Sequence, residues 1–173
     1  NNLFWKSTLA GRALTQADTW LFALGVGVAL VALHFILLGL VLNRWTAKPL
    51  LALLIVTTAF SSYYMSSFTV FLDPGMLRNV LRTDVKEASE LFNVGMLPYL
   101  LVFAVLPLLL LFRIGLRREP MRRALPIRLV ALVVALLLGG GSIILLFHDL
   151  APLMRNNKEI RYLITPANYL YSL

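Results

Sequence analysis

Four stretches of about 20 apolar residues, each long enough to cross a bilayer core as a helix, govern what this chain can become. They run from Thr19 to Leu42, Pro49 to Leu72, Val94 to Phe112 and Ile127 to Phe147. Asp18 is placed as an N-cap for the first, with Trp20 and Trp45 as interfacial anchors. Pro49 occupies the first turn of the second, where its missing N–H costs nothing. Pro107 is expected to kink the third. The fourth opens after Pro126 and carries Gly139-Gly140-Gly141, read as a close helix approach or a bend because its context is apolar. The chain is 60% hydrophobic and 14% charged, whereas a soluble domain carries roughly a quarter charged residues. The fold class is therefore an all-α integral membrane protein, a four-helix transmembrane bundle.

The formal charge of +8 is not a nucleic-acid signal, because the basic residues lie in loops beside spans and not along one soluble face. The absence of cysteine excludes a disulfide framework, a thiolate metal site and a cysteine nucleophile. The first apolar run is too long for a signal peptide and has no small-residue cleavage site. Orientation follows from charge density. Loops 43–48 and 113–126 carry Arg44, Lys48, Arg113, Arg117, Arg118, Arg122 and Arg123, opposed only by Glu119. The other side has as many basic residues, spread over longer segments and balanced by acids. The two dense loops read as cytoplasmic, which puts both termini and the segment 73–92 on the extracytoplasmic side.

That segment is a charged island between two spans. Drawn as a helix over about 75–92, it separates into stripes. Leu77, Val80, Leu81, Val85, Ala88, Leu91 and Phe92 share an apolar face. Arg78, Arg82 and Lys86 form a basic row, and Asn79, Thr83 and Glu87 a second polar row beside it. An amphipathic helix of this kind lies in the membrane interface and shows both charge signs to water, which suits a zwitterionic lipid head group. On residues alone, a solvated helix face is the commoner fate of such a row. The outer half of the second span is crowded with hydroxyls, including Thr57, Thr58, Ser61, Ser62, Ser66, Ser67 and Thr69. These either back-bond to their own helix or line a polar recess beneath the amphipathic helix. His34 has no carboxylate at a compatible depth and reads as a side-chain contact within the bundle; Met65, Met76 and Met96 read as packing residues.

Asp73-x-x-Met76-x-x-Asn79-x-x-x-Thr83-Asp84-x-x-Glu87-Ala88 resembles the signature loop of the phosphoethanolamine transferases, which include lipid A modifying enzymes and the mobile colistin-resistance proteins. Lys48-Pro49 opening the second span, Ser62-Tyr63, and the tail Lys158-Glu159-Ile160-Arg161-Tyr162-Leu163-Ile164-Thr165-Pro166-Ala167-Asn168-Tyr169 are similar to the family as well. Thr69 departs from it, since several relatives are expected to carry glycine there.

The resemblance implies a bacterial inner-membrane protein with periplasmic termini, and a further family helix ahead of Asn1. It also implies a soluble periplasmic catalytic domain after Leu173, where zinc and a threonine nucleophile take phosphoethanolamine from phosphatidylethanolamine and pass it to lipid A. On that reading residues 1–173 form a transmembrane lipid-binding domain with no catalytic residue, no metal ligand and no cofactor of its own. It would be inactive alone, with membrane lipids and its own catalytic domain as partners. Asn79, Thr83 and Glu87 are then the substrate-binding residues. Glu87 would pair with the donor ammonium, while Arg78, Arg82 and Lys86 offer contacts to phosphate or to anionic lipid heads. The alternatives are a lipopolysaccharide core sugar as acceptor, or a non-enzymatic transporter or scaffold subunit.

Overall fold

A computed structural model describes residues 2–43, 45–70, 73–84, 86, 92–115 and 120–168. Among these residues the regular structure is helical, with no strand. In lipid each backbone N–H and C=O needs a partner within the protein, and helices supply it from their own turns. Helix α1 spans Asn2–Thr8, α2 Ala17–Val41, α3 Ala47–Phe68 and α4 Pro74–Arg82. Helix α5 spans Met96–Arg113, α6 Met121–Leu145 and α7 Phe147–Asn156, followed by a 3-10 turn at Lys158–Leu163. Four of these, α2, α3, α5 and α6, are long and apolar enough to cross a membrane, matching the four runs read from the sequence. Their flanks carry large apolar side chains turned outward, such as Val31 at 70% exposed, Leu137 at 69% and Ile144 at 75%. A water-soluble surface would not tolerate so continuous an apolar coat.

The chain divides into two compact units. In the first, residues 5–46 and 116–160, α2 packs against α6. Their contact is a seam of small residues at seven-residue intervals, with Gly25, Ala32 and Gly39 facing Leu146, Gly139 and Leu132 in antiparallel order. A β-carbon on Gly139 would stand 2.7 Å from Ala32 Cβ, and one on Gly39 would stand 2.9 Å from Leu132 Cδ2. Glycine lets the helix backbones approach closely where dispersion, not water, drives association. Arg128 Nε donates to the Gly39 carbonyl at the same seam. Within the glycine run Gly139 fills this role; among the described residues, a β-carbon on Gly140 or Gly141 would meet no atom of another segment within 4 Å.

Two entry points differ from expectation. Helix α2 begins at Ala17 behind Gln16, with Asp18 in the first turn and no side-chain cap. The entry is held instead by Thr19 Oγ1 donating to Ala13 O (2.8 Å) and Trp20 Nε1 donating to Leu14 O (2.9 Å). Helix α6 begins at Met121 and not after Pro126, which lies inside it. Pro120 is extended and its carbonyl accepts from Arg123 and Ala124, so strong helix formers ahead of Pro126 start the helix early. His34 Nδ1 lies 2.7 Å from the Leu30 carbonyl of its own helix.

The second unit, residues 1–4, 47–115 and 161–173, pairs α3 with α5. Met65 and Met96 are fully buried between them, with Tyr63, whose ring meets Tyr99 edge-on at 5.7 Å. Lys48 Nζ donates to the Phe112 carbonyl at 3.2 Å, a cation at the negative end of α5. Pro107 acts on α5 as a widening of the turn: Leu101–Val105 is π-helical, and Leu106 N–H bonds back to Leu101 O. Proline has no N–H to continue the ladder and clashes with the carbonyl four residues back, and a π-turn relieves both.

Candidate functional site

Helix α4 is the described part of the charged island. Asp73 caps it, Oδ1 accepting from Met76 N at 2.7 Å, and Pro74 takes the first turn. The helix expected over 75–92 stops at Arg82. Thr83 is extended (ψ 126°), and both its N–H and its Oγ1 donate to the Asn79 carbonyl at 2.9 Å. A β-branched residue that returns its hydroxyl to the fourth carbonyl back, followed by Asp84, favours leaving the helix over continuing it. Lys86 is helical again beyond the break.

The polar row is thus interrupted. Asn79 and Thr83 are joined through one carbonyl, with Asn79 exposed and Thr83 half-buried. Glu87, the proposed ammonium partner, lies outside the described residues. Arg78 and Arg82 are exposed one turn apart on α4, and Lys86 is exposed past the break.

A second polar feature lies in the same unit. A recess of about 510 Å3 is bordered by Thr58, Ser62 and Ser66, at four-residue intervals on one face of α3. Asn2, Tyr99 and Thr165 complete its polar wall, and Ala59 and Phe103 its apolar one. Asn79 and Thr83 are not among its lining residues. The hydroxyl-rich half of the second span therefore divides by face. Thr57 Oγ1 donates to the carbonyls of Leu53 (2.9 Å) and Leu54 (3.2 Å), while Thr58, Ser62 and Ser66 open to the recess. The repeat on α3 was readable in the sequence; Asn2, Tyr99 and Thr165 come from segments remote in sequence, and no local pattern marks them.

Beyond the 3-10 turn the tail packs inward. Leu163 and Asn168 are 1% exposed, and Asn168 Nδ2 donates to Tyr162 O at 2.8 Å. At the end of α3, Thr69 adopts φ +52°, the left-handed region that glycine enters without strain. That is the position at which glycine was expected in relatives.

Among the described residues, no group of three or more His, Asp or Glu side chains could hold a metal ion. Fold and site together define a multi-pass, all-α membrane protein with a polar recess at one helix pair and a capped amphipathic helix. The family described as phosphoethanolamine transferase EptA/EptB matches residues 30–173, and the chain belongs to it. Phosphatidylethanolamine transferase Mcr-2 of Escherichia coli is 27% identical over the whole chain, which covers 32% of that protein. Phosphoethanolamine transferase EptA of Escherichia coli K12 is 28% identical over 97% of the chain and 31% of its own length. The chain also superposes on the integral membrane lipooligosaccharide phosphoethanolamine transferase A of Neisseria meningitidis with a TM-score of 0.90. That match has 25% identity and covers 98% of this chain and 32% of the other. The chain spans about a third of the length of these relatives.

Proposed function

We propose that this chain is the membrane-anchoring, lipid-binding part of a bacterial inner-membrane phosphoethanolamine transferase. The whole enzyme moves phosphoethanolamine from phosphatidylethanolamine to lipid A and so confers resistance to polymyxins such as colistin. The observation that carries this reading is the superposition of nearly the whole chain on a lipooligosaccharide phosphoethanolamine transferase. The names of the curated relatives, phosphatidylethanolamine transferase and phosphoethanolamine transferase, supply the donor and the transferred group. The dense basic loops support an orientation with α4 and both termini in the periplasm.

In this reading the chain binds and orients, while transfer belongs to a periplasmic catalytic domain of the whole protein. In that domain zinc would supply Lewis-acid chemistry when bound. The part proposed for this chain is to hold and orient the lipid. Asn79 and Thr83, with Glu87, are the proposed head-group residues. The exposed Arg78 and Arg82 offer charge-assisted contacts to phosphate.

The test is Glu87→Gln in the full-length enzyme, read as phosphoethanolamine transfer to lipid A at matched protein levels. Loss of a hydrogen bond to a charged group costs about 1.5–3 kcal/mol, so transfer is expected to fall roughly 10- to 150-fold while membrane insertion stays intact. Transfer at the unmodified rate would remove Glu87 from the site. Product on a core sugar instead of lipid A would reassign the acceptor.

A further inference from the structure

The recess on α3 has a lining that does not match a charged head group. Thr58, Ser62, Ser66, Tyr99 and Thr165 bring hydroxyls and Asn2 an amide; no side chain bordering it among the described residues is charged. A phosphate or ammonium placed there would lose water without gaining a counter-charge, which is costly. Neutral acceptors fit better, because hydroxyls and amide N–H groups can donate to them. Depth narrows the choice further. Ser66 lies two residues before the last residue of α3, Phe68, and Thr58 ten residues before it. At about 1.5 Å per residue, the recess runs from about 3 Å to about 15 Å from the helix end along the axis, reaching about half-way through a 30 Å hydrocarbon core. With α3 spanning the core from end to end, the outer end of that interval falls where lipid head groups give way to acyl chains. Ala59 and Phe103 add an apolar wall suited to the first methylenes of a chain. The volume, about 510 Å3, lies within the range of roughly 300–1,000 Å3 for small-molecule sites. It accommodates the middle of a lipid, not the whole molecule.

We infer that this recess is a subsite for the glycerol-ester backbone of a diacyl phospholipid. The hydroxyls of Ser62 and Ser66 donate to ester carbonyls, and the apolar wall takes the start of an acyl chain. Recognition here is by the ester and not by the head group. The inference therefore stands apart from the transfer reading: it holds for any diacyl glycerolipid, whether transfer occurs or not.

The experiment is lipid binding to the full-length protein in nanodiscs, with three probes: a diacyl phosphatidylethanolamine, its dialkyl ether counterpart with the same head group, and a diacyl phosphatidylglycerol. Each probe is measured on the unmodified protein, on Ser66→Ala and on Ser62→Ala/Ser66→Ala. The ether lipid lacks the carbonyl acceptors and is expected to bind about 5- to 10-fold more weakly, the scale of one or two neutral hydrogen bonds. The double variant is expected to weaken both diacyl lipids by the same factor and leave the ether lipid unchanged, the mark of a coupled pair of partners. Equal binding of ester and ether lipids overturns the inference. So does a variant effect confined to phosphatidylethanolamine, which would make the recess a head-group site. Ser66 is exposed, so Ser66→Ala keeps the cycle decisive if the double variant misfolds. Transfer to lipid A by the unmodified protein is assayed separately, so failure of the transfer reading leaves the binding result interpretable.

Discussion

The α2–α6 pair and the α3–α5 pair are both built from long apolar helices, yet they meet in opposite ways. The first closes on Gly25, Ala32, Gly39 and Gly139, positions where a β-carbon or its growth would strike the opposite helix. The second is wedged by aromatic and methionine side chains, with Tyr63 and Met65 from the last turns of α3 and Met96 from the first turn of α5 buried. On one face it leaves a hydroxyl-lined recess. Small residues give close contact without room for a ligand. Bulky ones packed edge-on hold helices apart and leave space beside them. The difference teaches that apolarity sets the spans, while side-chain size decides which pair leaves room for a ligand.

The sharpest way to break this comparison is Gly139→Leu. The new side chain would enter a backbone-close contact with Ala32, 2.7 Å from the site of its first carbon. Overpacking of this kind costs about 3 kcal/mol, read as a lowered thermal midpoint in detergent. If the midpoint does not move, the seam is not tightly closed. Gly140→Ala is its control, with nothing within 4 Å; it is expected to gain up to about 1 kcal/mol from helix propensity. In the other pair, Thr69→Gly should stabilise by about 1 kcal/mol. It relieves left-handed strain of about 1–3 kcal/mol, offset by the greater chain entropy of glycine and by loss of the Oγ1 bond to Phe68 O. A destabilised Thr69→Gly would mean that this hydroxyl outweighs the backbone cost. The smallest effect belongs to Thr57→Val. Its hydroxyl only returns to the carbonyls of Leu53 and Leu54, so stability should change by less than about 0.5 kcal/mol and lipid binding not at all. Lost lipid binding in Thr57→Val would place the functional face of α3 one position away from Thr58, Ser62 and Ser66.

How much of this was legible depends on the kind of signal. The four spans were readable because length and apolarity are local properties, and the start of α4 to within a residue, since the helix drawn from about 75 begins at Pro74; its Asp73 cap emerged only from the structure. The end of α4 was not. Leu77, Val80, Leu81 and Val85 keep helical spacing straight through Thr83, so periodicity hides a break that side-chain hydrogen bonding makes. The start of α6 was hidden in a similar way, because Pro126 looks like a boundary until Pro120 is seen acting as one. Of the candidate site, the hydroxyl repeat on α3 could be read as a face. That Asn2, Tyr99 and Thr165 stand across from it is a product of tertiary packing. Thr69 was marked by its residue type alone, and its positive φ supplies the physical reason.

The wide turn at Leu101–Val105 bears on how relatives of this chain should be aligned. A π-turn holds about one residue more than an α-turn, so the faces of the third span before and after it are offset by roughly 100°. A helical wheel drawn through 96–113 without that correction assigns Tyr99 and Phe103 to a wrong stripe relative to the residues after Pro107. Where an alignment shows a one-residue gap between 101 and 105, it should be read as loss of the wide turn with the span intact. A relative with such a gap should also lack the proline.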